Sequence, residues 1–139
     1  MQIRLFGVRV AAITIAFLIV MAYTAVAARG RSIPVTVRCN ADDGLSLRLR
    51  DTLENTIKSS ANFSLSSSSE PSTFLIIIAS NVRSKQVDRR TRVFYTVEFA
   101  SGHHRDLGTT SGSCWVNTLT KCAAQIIKKV RSAAREDYQ

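Results

Sequence analysis

Acidic side chains are scarce in this chain. Ten Asp and Glu stand against nineteen Lys and Arg, a formal net charge of +9 with both histidines neutral. Few carboxylates leave few candidates for paired acid–base chemistry, and those present fall mostly in turns or on helix surfaces. Glycine is sparse as well, with six in 139 residues. No G-x-G-x-x-G occurs and no P-loop lysine follows a glycine stretch, so neither of those phosphate cradles is present. Gly108-Thr109-Thr110-Ser111-Gly112 misses the G-x-S-x-G elbow because its serine stands one place off. No internal repeat is visible.

Histidine and cysteine are too few and too poorly spaced for a compact metal clip. His103, His104, Cys114 and Cys122 total two of each, but no pair has C-x₂₋₄-C or H-x₃₋₅-H spacing. Adjacent histidines in an extended chain also point to opposite sides. His104, Asp106 and Cys114 are the residue types of a base, an orienter and a nucleophile, yet residue types without geometry define no mechanism. The expectation is a chain with no catalytic residue, no metal and no cofactor; a thiol- or metal-dependent enzyme is the outlying alternative.

What the chain does have begins at its N-terminus. MQIRLFGVR carries Arg4 and Arg9, an uncharged run follows from Val10 to Ala28, and the run closes on Thr24-Ala25-Val26-Ala27-Ala28. A charged start, an apolar stretch and an A-x-A site are the parts of a secretory signal peptide. Residues 1–27 are read as that peptide, cut after Ala27, with Ala28 nearly as good. The rival reading is an uncleaved membrane anchor over residues 10–28, since about 20 apolar residues span a bilayer. Either way residues 28–139 form one exported domain, periplasmic or secreted. Only Arg4 and Arg9 of the basic residues precede it, which leaves 17 against 10 acids. Such a surface favours acidic partners: nucleic acid, anionic lipid, acidic polysaccharide or an acidic envelope protein. Contact with a membrane follows only if the N-terminal segment is retained.

Ile33, Val35 and Val37 alternate with polar residues and predict a strand ending near Cys39. Asp42-Asp43-Gly44 predicts a turn that caps a helix. Leu45, Leu49, Leu53 and Ile57 then form the apolar stripe of that helix. Phe63 and Leu65 offer a short edge strand, and the serine-rich stretch that ends near Pro71 reads as a loop. Phe74 to Ala79 is continuous and β-branched, as in a strand covered on both faces. Val93, Tyr95, Val97 and Phe99 alternate with Phe94, Thr96, Glu98 and Ala100 on a longer strand, and Arg105 to Gly112 suggests another. Leu119, Cys122, Ala123, Ile126, Ile127, Val130 and Ala134 mark an amphipathic helix over about 117–135. The expected fold is α+β: an antiparallel sheet of four to five strands with two helices packed on one face, in β-α-β-β-β-α order. This layout resembles the small α+β domains of bacterial envelope proteins, a likeness of architecture that carries no function with it.

Export permits disulfides. A helix beginning at Ser113 would hold Cys114 and Cys122 roughly 12 Å apart along its axis, beyond the reach of a bridge. A helix beginning at Asn117 or Thr118, both good caps, leaves Cys114 on an incoming strand that can fold back beside the second turn. Cys114–Cys122 is therefore the expected pair, with Cys39–Cys122 the alternative. Cys39, left over, is either buried or available to a second chain. The strongest candidate for binding is Arg83, Lys85, Arg89, Arg90 and Arg92, placed by the pattern on a flexible hairpin tip. A weaker basic stripe, Lys121, Lys128 and Arg135, lies on the last helix. Arginine at such a tip reaches phosphates, sulfates or carboxylates with two-pronged contacts. A nucleic-acid reading would need aromatic stacking platforms inside the patch. Phe94 and Tyr95 follow it but belong to the strand pattern.

Overall fold

A computed structural model describes residues 32–67, 73–102 and 105–137. The leader reading of residues 1–27, the anchor reading of 10–28, Pro71 and both histidines lie outside the described residues. The strands are β1 Ile33–Cys39, β2 Phe63–Leu65, β3 Phe74–Ile78, β4 Arg83–Val87, β5 Arg90–Ser101 and β6 Asp106–Trp115. Helix α1 spans Gly44–Lys58, and α2 spans Leu119–Asp137 after a 3₁₀ turn at Val116–Thr118.

The fold is α+β, as expected, but the sheet is mixed rather than antiparallel. β1 runs parallel to both β2 and β3, while β3, β4 and β6 each pair antiparallel with β5. The cause is connectivity. α1 crosses over between β1 and β2 and returns the chain in its original direction, the requirement for parallel neighbours. The chain then passes to the other edge of β1 and lays down β3 in the same sense. Period-2 patterning does not encode strand direction, so this could not be read from alternation alone.

β5 is the spine of the sheet. It pairs with β3 through residues 98–101, with β4 through 90–94, and with β6 through most of its length. β3 and β4 therefore follow one another along one edge of β5, and β6 occupies the other. Val93, Tyr95, Val97 and Phe99 point inward and join Val35, Ile76, Ile78, Leu49, Leu53, Ile57, Ile126 and Val130 in one core. Both helices contribute to that core, so both cover the inner face of the sheet. β3 is covered on both sides: Ile76 and Ile78 are fully buried inward, and Leu75, on the opposite face, is only 3% exposed. Gly112 lies across from Tyr95, and a Cβ there would run into the tyrosine's Oη and Cζ. Its bare backbone leaves room for the ring, whose hydroxyl donates to Gln125 Oε1 on α2 at 3.1 Å; burial raises the phenol's pKa above its ordinary value.

The start of α1 follows the sequence expectation. Asp43 is the N-cap, and its carboxylate accepts from the Leu45 and Ser46 amides at 3.0 and 2.9 Å. The start of α2 differs: neither Asn117 nor Thr118 caps it. The 3₁₀ turn intervenes, with Trp115 before it and no side-chain cap; Thr118 Oγ1 donates to the Trp115 carbonyl at 3.2 Å. That tight turn brings Cys114 and Cys122 to a Cα separation of 5.6 Å, and the two are bridged. Cys39 is not the partner of Cys122. It is free and half-buried, and its thiol donates to the Ala41 carbonyl at 3.4 Å.

Candidate binding face

The basic segment is not a flexible tip. Arg83 and Lys85 lie in β4, Arg90 and Arg92 lie in β5, and only Asp88 and Arg89 form the turn. Both turn residues have positive φ, 46° and 62°, the requirement of a two-residue type I′ connection. That turn matches the twist of the strands and sets a register in which Lys85 faces Arg92 and Arg83 faces Phe94. β6 continues the same rows, with Trp115 beside Arg92, Ser113 beside Phe94 and Ser111 beside Thr96.

Directly opposed residues share a face, and the residues between them face the other way. Val93, Tyr95 and Val97 face the core, so Arg90, Arg92, Phe94 and Thr96 face outward, together with Arg83, Lys85, Ser111, Ser113 and Trp115. The face holds itself in shape. Arg90 stacks over the Trp115 ring at 4.4 Å. The Arg92 guanidinium lies 5.7 Å from Phe94 and 5.8 Å from Trp115. It also donates through Nε and Nη2 to Ser113 Oγ at 3.1 and 3.0 Å. Thr96 Oγ1 and Ser111 Oγ are 2.8 Å apart. Phe94 is 41% exposed, the one large apolar side chain open to solvent among the described residues.

Electrostatically the face is unbalanced. Among the described residues the ion pairs are Arg50 with Asp51 and with Glu54, both on α1. No carboxylate there pairs with Arg83, Lys85, Arg89, Arg90 or Arg92. Glu98 stands on the same face, further along β5 between Ile77 and Thr109. The stripe of Lys121, Lys128 and Arg135 is exposed on α2. Since α2 covers the inner face, the structure keeps the two basic surfaces apart. Among the described residues no three His, Cys, Asp or Glu side chains converge to hold a metal.

Above Arg83 the irregular link between β3 and β4, residues 79–82, forms a bulge in the chain beside β5. Between the pairs Ile77–Glu98 and Arg83–Phe94, residues 78–82 oppose residues 95–97. This segment thus carries two more residues than the stretch of β5 it passes, and the chain bows there. A shallow depression of about 490 Å³ opens beside the bulge, lined by Ser80, Asn81, Arg83, Lys85, Phe94 and Thr96 among others. Sequence reasoning missed this feature, and it missed Trp115 and Ser113 as members of the face. The available signal was the alternation Arg90-x-Arg92-x-Phe94-x-Thr96 and Ser111-x-Ser113-x-Trp115. It becomes legible only when the register across β6 is known.

No protein-family model matches the chain, and no curated protein matches it by sequence. Solved structures do resemble it. A DUF330-family protein of Xanthomonas campestris overlays with a TM-score of 0.60 at 8% identity, covering 80% of this chain and 90% of that one. A minor lipoprotein of Acinetobacter baumannii gives 0.49 at 10% identity, over 76% and 94% of the two chains. A single-substitution variant of the PelC dodecamer of Paraburkholderia phytofirmans gives 0.48 at 18% identity, over 75% and 89%. The first likeness establishes a shared fold and nothing about chemistry; the other two are too weak to add to it.

Proposed function

We propose that this chain is a small exported, non-enzymatic binding domain that engages an acidic partner through the outer face of β4, β5 and β6. The observation that carries the reading is the assembly of Arg83, Lys85, Arg90 and Arg92 on one rigid, open face around the exposed Phe94 ring, with no carboxylate partner among the described residues. Export is supported by the leader pattern of residues 1–27 and by the Cys114–Cys122 bridge, which suits an oxidising compartment. The acidic partner belongs to the same compartment: an envelope protein or an anionic polymer.

Binding to heparin, a generic polyanion, under increasing salt tests this. Affinity falls linearly with salt on logarithmic axes when cations displace counterions. Replacing Arg90 and Arg92 by Gln lowers the slope by about one for each arginine replaced, whereas Lys128→Gln with Arg135→Gln leaves it unchanged. Absence of binding at low salt, or equal losses from the α2 variant, overturns the reading.

A further inference from the structure

The depression beside the bulge has a composition more specific than a charged patch. Three kinds of group meet there. Arg83 and Lys85 supply positive charge. Phe94 supplies a ring that is 41% exposed. Ser80, Asn81, Thr96 and Ser111 supply neutral hydroxyl and amide groups. Thr96 and Ser111 spend one hydrogen bond on each other and keep further lone pairs for a ligand.

Each simpler ligand uses only part of this set. A bare phosphate or sulfate takes the cations and leaves the ring and the amide idle. A single-stranded nucleic acid stacks successive bases on successive open rings, but Trp115 is roofed by Arg90 at 4.4 Å and Phe94 is left alone. A lipid surface calls for several apolar anchors on a protruding patch, whereas here one ring stands at the side of a hollow. A pyranose bearing a carboxylate or sulfate uses all three kinds of group. Its C–H face carries partial positive charge and meets the negative face of the ring. Its hydroxyls pair with Asn81 and the serine and threonine hydroxyls. Its anionic group meets Arg83, in a two-pronged contact where it is a carboxylate, with Lys85 close by.

The geometry points to this depression as a subsite for one acidic sugar unit of an anionic polysaccharide. The inference rests on the outer face being the binding surface and adds the class of partner. A volume of about 490 Å³ lies within the usual range of small-molecule sites, roughly 300–1,000 Å³. The depression is open, so a polymer can continue along the row of Lys85, Arg92 and Arg90. The bulge that shapes it is tied from beneath: Val82, at its lower end, is buried and donates its backbone N–H to Ser46 Oγ on α1 at 2.9 Å. The hollow is therefore built into the packing of the domain.

Calorimetric titration of the oxidised, exported protein tests the assignment with four probes at one salt concentration: hexagalacturonate, linear hexaphosphate, oligothymidylate and phosphatidylglycerol vesicles. Hexagalacturonate is expected to bind tightest. Phe94→Ala and Asn81→Ala, which leave the charge unchanged, each weaken it by about tenfold, equivalent to about 1.4 kcal/mol, and leave hexaphosphate binding unchanged. Both side chains are exposed, and unaltered melting temperatures verify that the variants fold. If hexaphosphate binds as tightly as hexagalacturonate, or neither variant discriminates between them, the sugar subsite is wrong and the anion-binding face stands. Tighter binding of oligothymidylate or vesicles reassigns the partner and overturns the subsite. If no probe binds, the subsite and the proposed function fall together.

Discussion

The backbone N–H of Val82 donates to the Ser46 hydroxyl at 2.9 Å, across 36 positions of sequence. Both residues are buried, Ser46 completely. The serine in turn donates to the Asp43 carboxylate, so a single chain of hydrogen bonds runs from the cap of α1 to the bulge beside the candidate subsite. Ser46 is a polar residue inside an apolar interface, and its burial is explained by these two partners. Ser46→Ala leaves the Val82 amide buried without an acceptor, at a cost of about 1–3 kcal/mol. The denaturant midpoint falls accordingly with the m-value unchanged; an unaltered midpoint would show that the bulge is not held from α1.

Asp43 makes a pH-dependent contribution through the same cluster. The Ser46 hydroxyl, and then the Ser46 amide, hold its carboxyl below the ordinary Asp value against a smaller opposing effect of burial. A carboxyl depressed in the folded state adds stability that is fully present above its unfolded pKa of about 3.9 and is lost as pH falls through the lower folded value. Urea unfolding followed from about pH 6 down through that pKa and below it reads this directly. Asp43→Asn keeps the cap geometry and shows a shallower loss in the acid range than the native protein, while Asp43→Ala is less stable by about 1 kcal/mol even at neutral pH. Parallel acid curves for native and Asn proteins would contradict the assignment.

The Cys114–Cys122 bridge spans a sequence separation of 8 and joins the end of β6 to the first turn of α2. Closing so short a loop is worth about 2–3 kcal/mol in the chain-entropy model. The bridge also fixes the residue next to Cys114, Trp115, on which Arg90 stacks. Replacing both cysteines by Ala lowers stability by about that amount and raises the accessibility of the Trp115 ring to a fluorescence quencher. A double variant with native stability and native quenching would remove the bridge from the account of the face.

Arg89 occupies the left-handed region at φ 62°, where a Cβ costs roughly 1–2 kcal/mol. Glycine removes that cost and loses about 0.5–1 kcal/mol of it to the greater freedom of the unfolded chain. Arg89→Gly is therefore stabilising by up to about 1.5 kcal/mol, read as a raised melting temperature. A lower melting temperature would mean that the Arg89 side chain contributes more to the hairpin than its backbone costs.

These sites divide the sequence into what local pattern reveals and what it hides. α1 was legible because Leu49, Leu53 and Ile57 repeat at four and Asp43 stands where a cap belongs. β5 was legible because Val93, Tyr95, Val97 and Phe99 alternate, and the cysteine pairing followed from where α2 could begin. β4 was not legible. Arg83-Ser84-Lys85-Gln86 are all exposed, so no apolar alternation announces a strand that is held by its ladder to β5. The turn lacked the usual Asn-Gly or Asp-Gly signal, because Asp88-Arg89 adopts positive φ without glycine. Ser46 gave no hint of its role, since its acceptor duty serves an amide far away in sequence. The proposed binding face sits at the meeting of these hidden parts, and for that reason Phe94 read as a strand residue rather than as the centre of a surface.

The central claim is that the outer face of β4, β5 and β6 is where an anionic partner binds. Backbone and indole chemical-shift mapping of the isotope-labelled exported protein during titration with hexagalacturonate tests it most directly. The account predicts that the amides of Arg83, Lys85, Arg92, Phe94, Thr96 and Ser111 and the Trp115 indole move together and saturate together, while Lys121, Lys128 and Arg135 on α2 stay still. Shifts centred on α2, or none on the sheet at a saturating concentration, would contradict it.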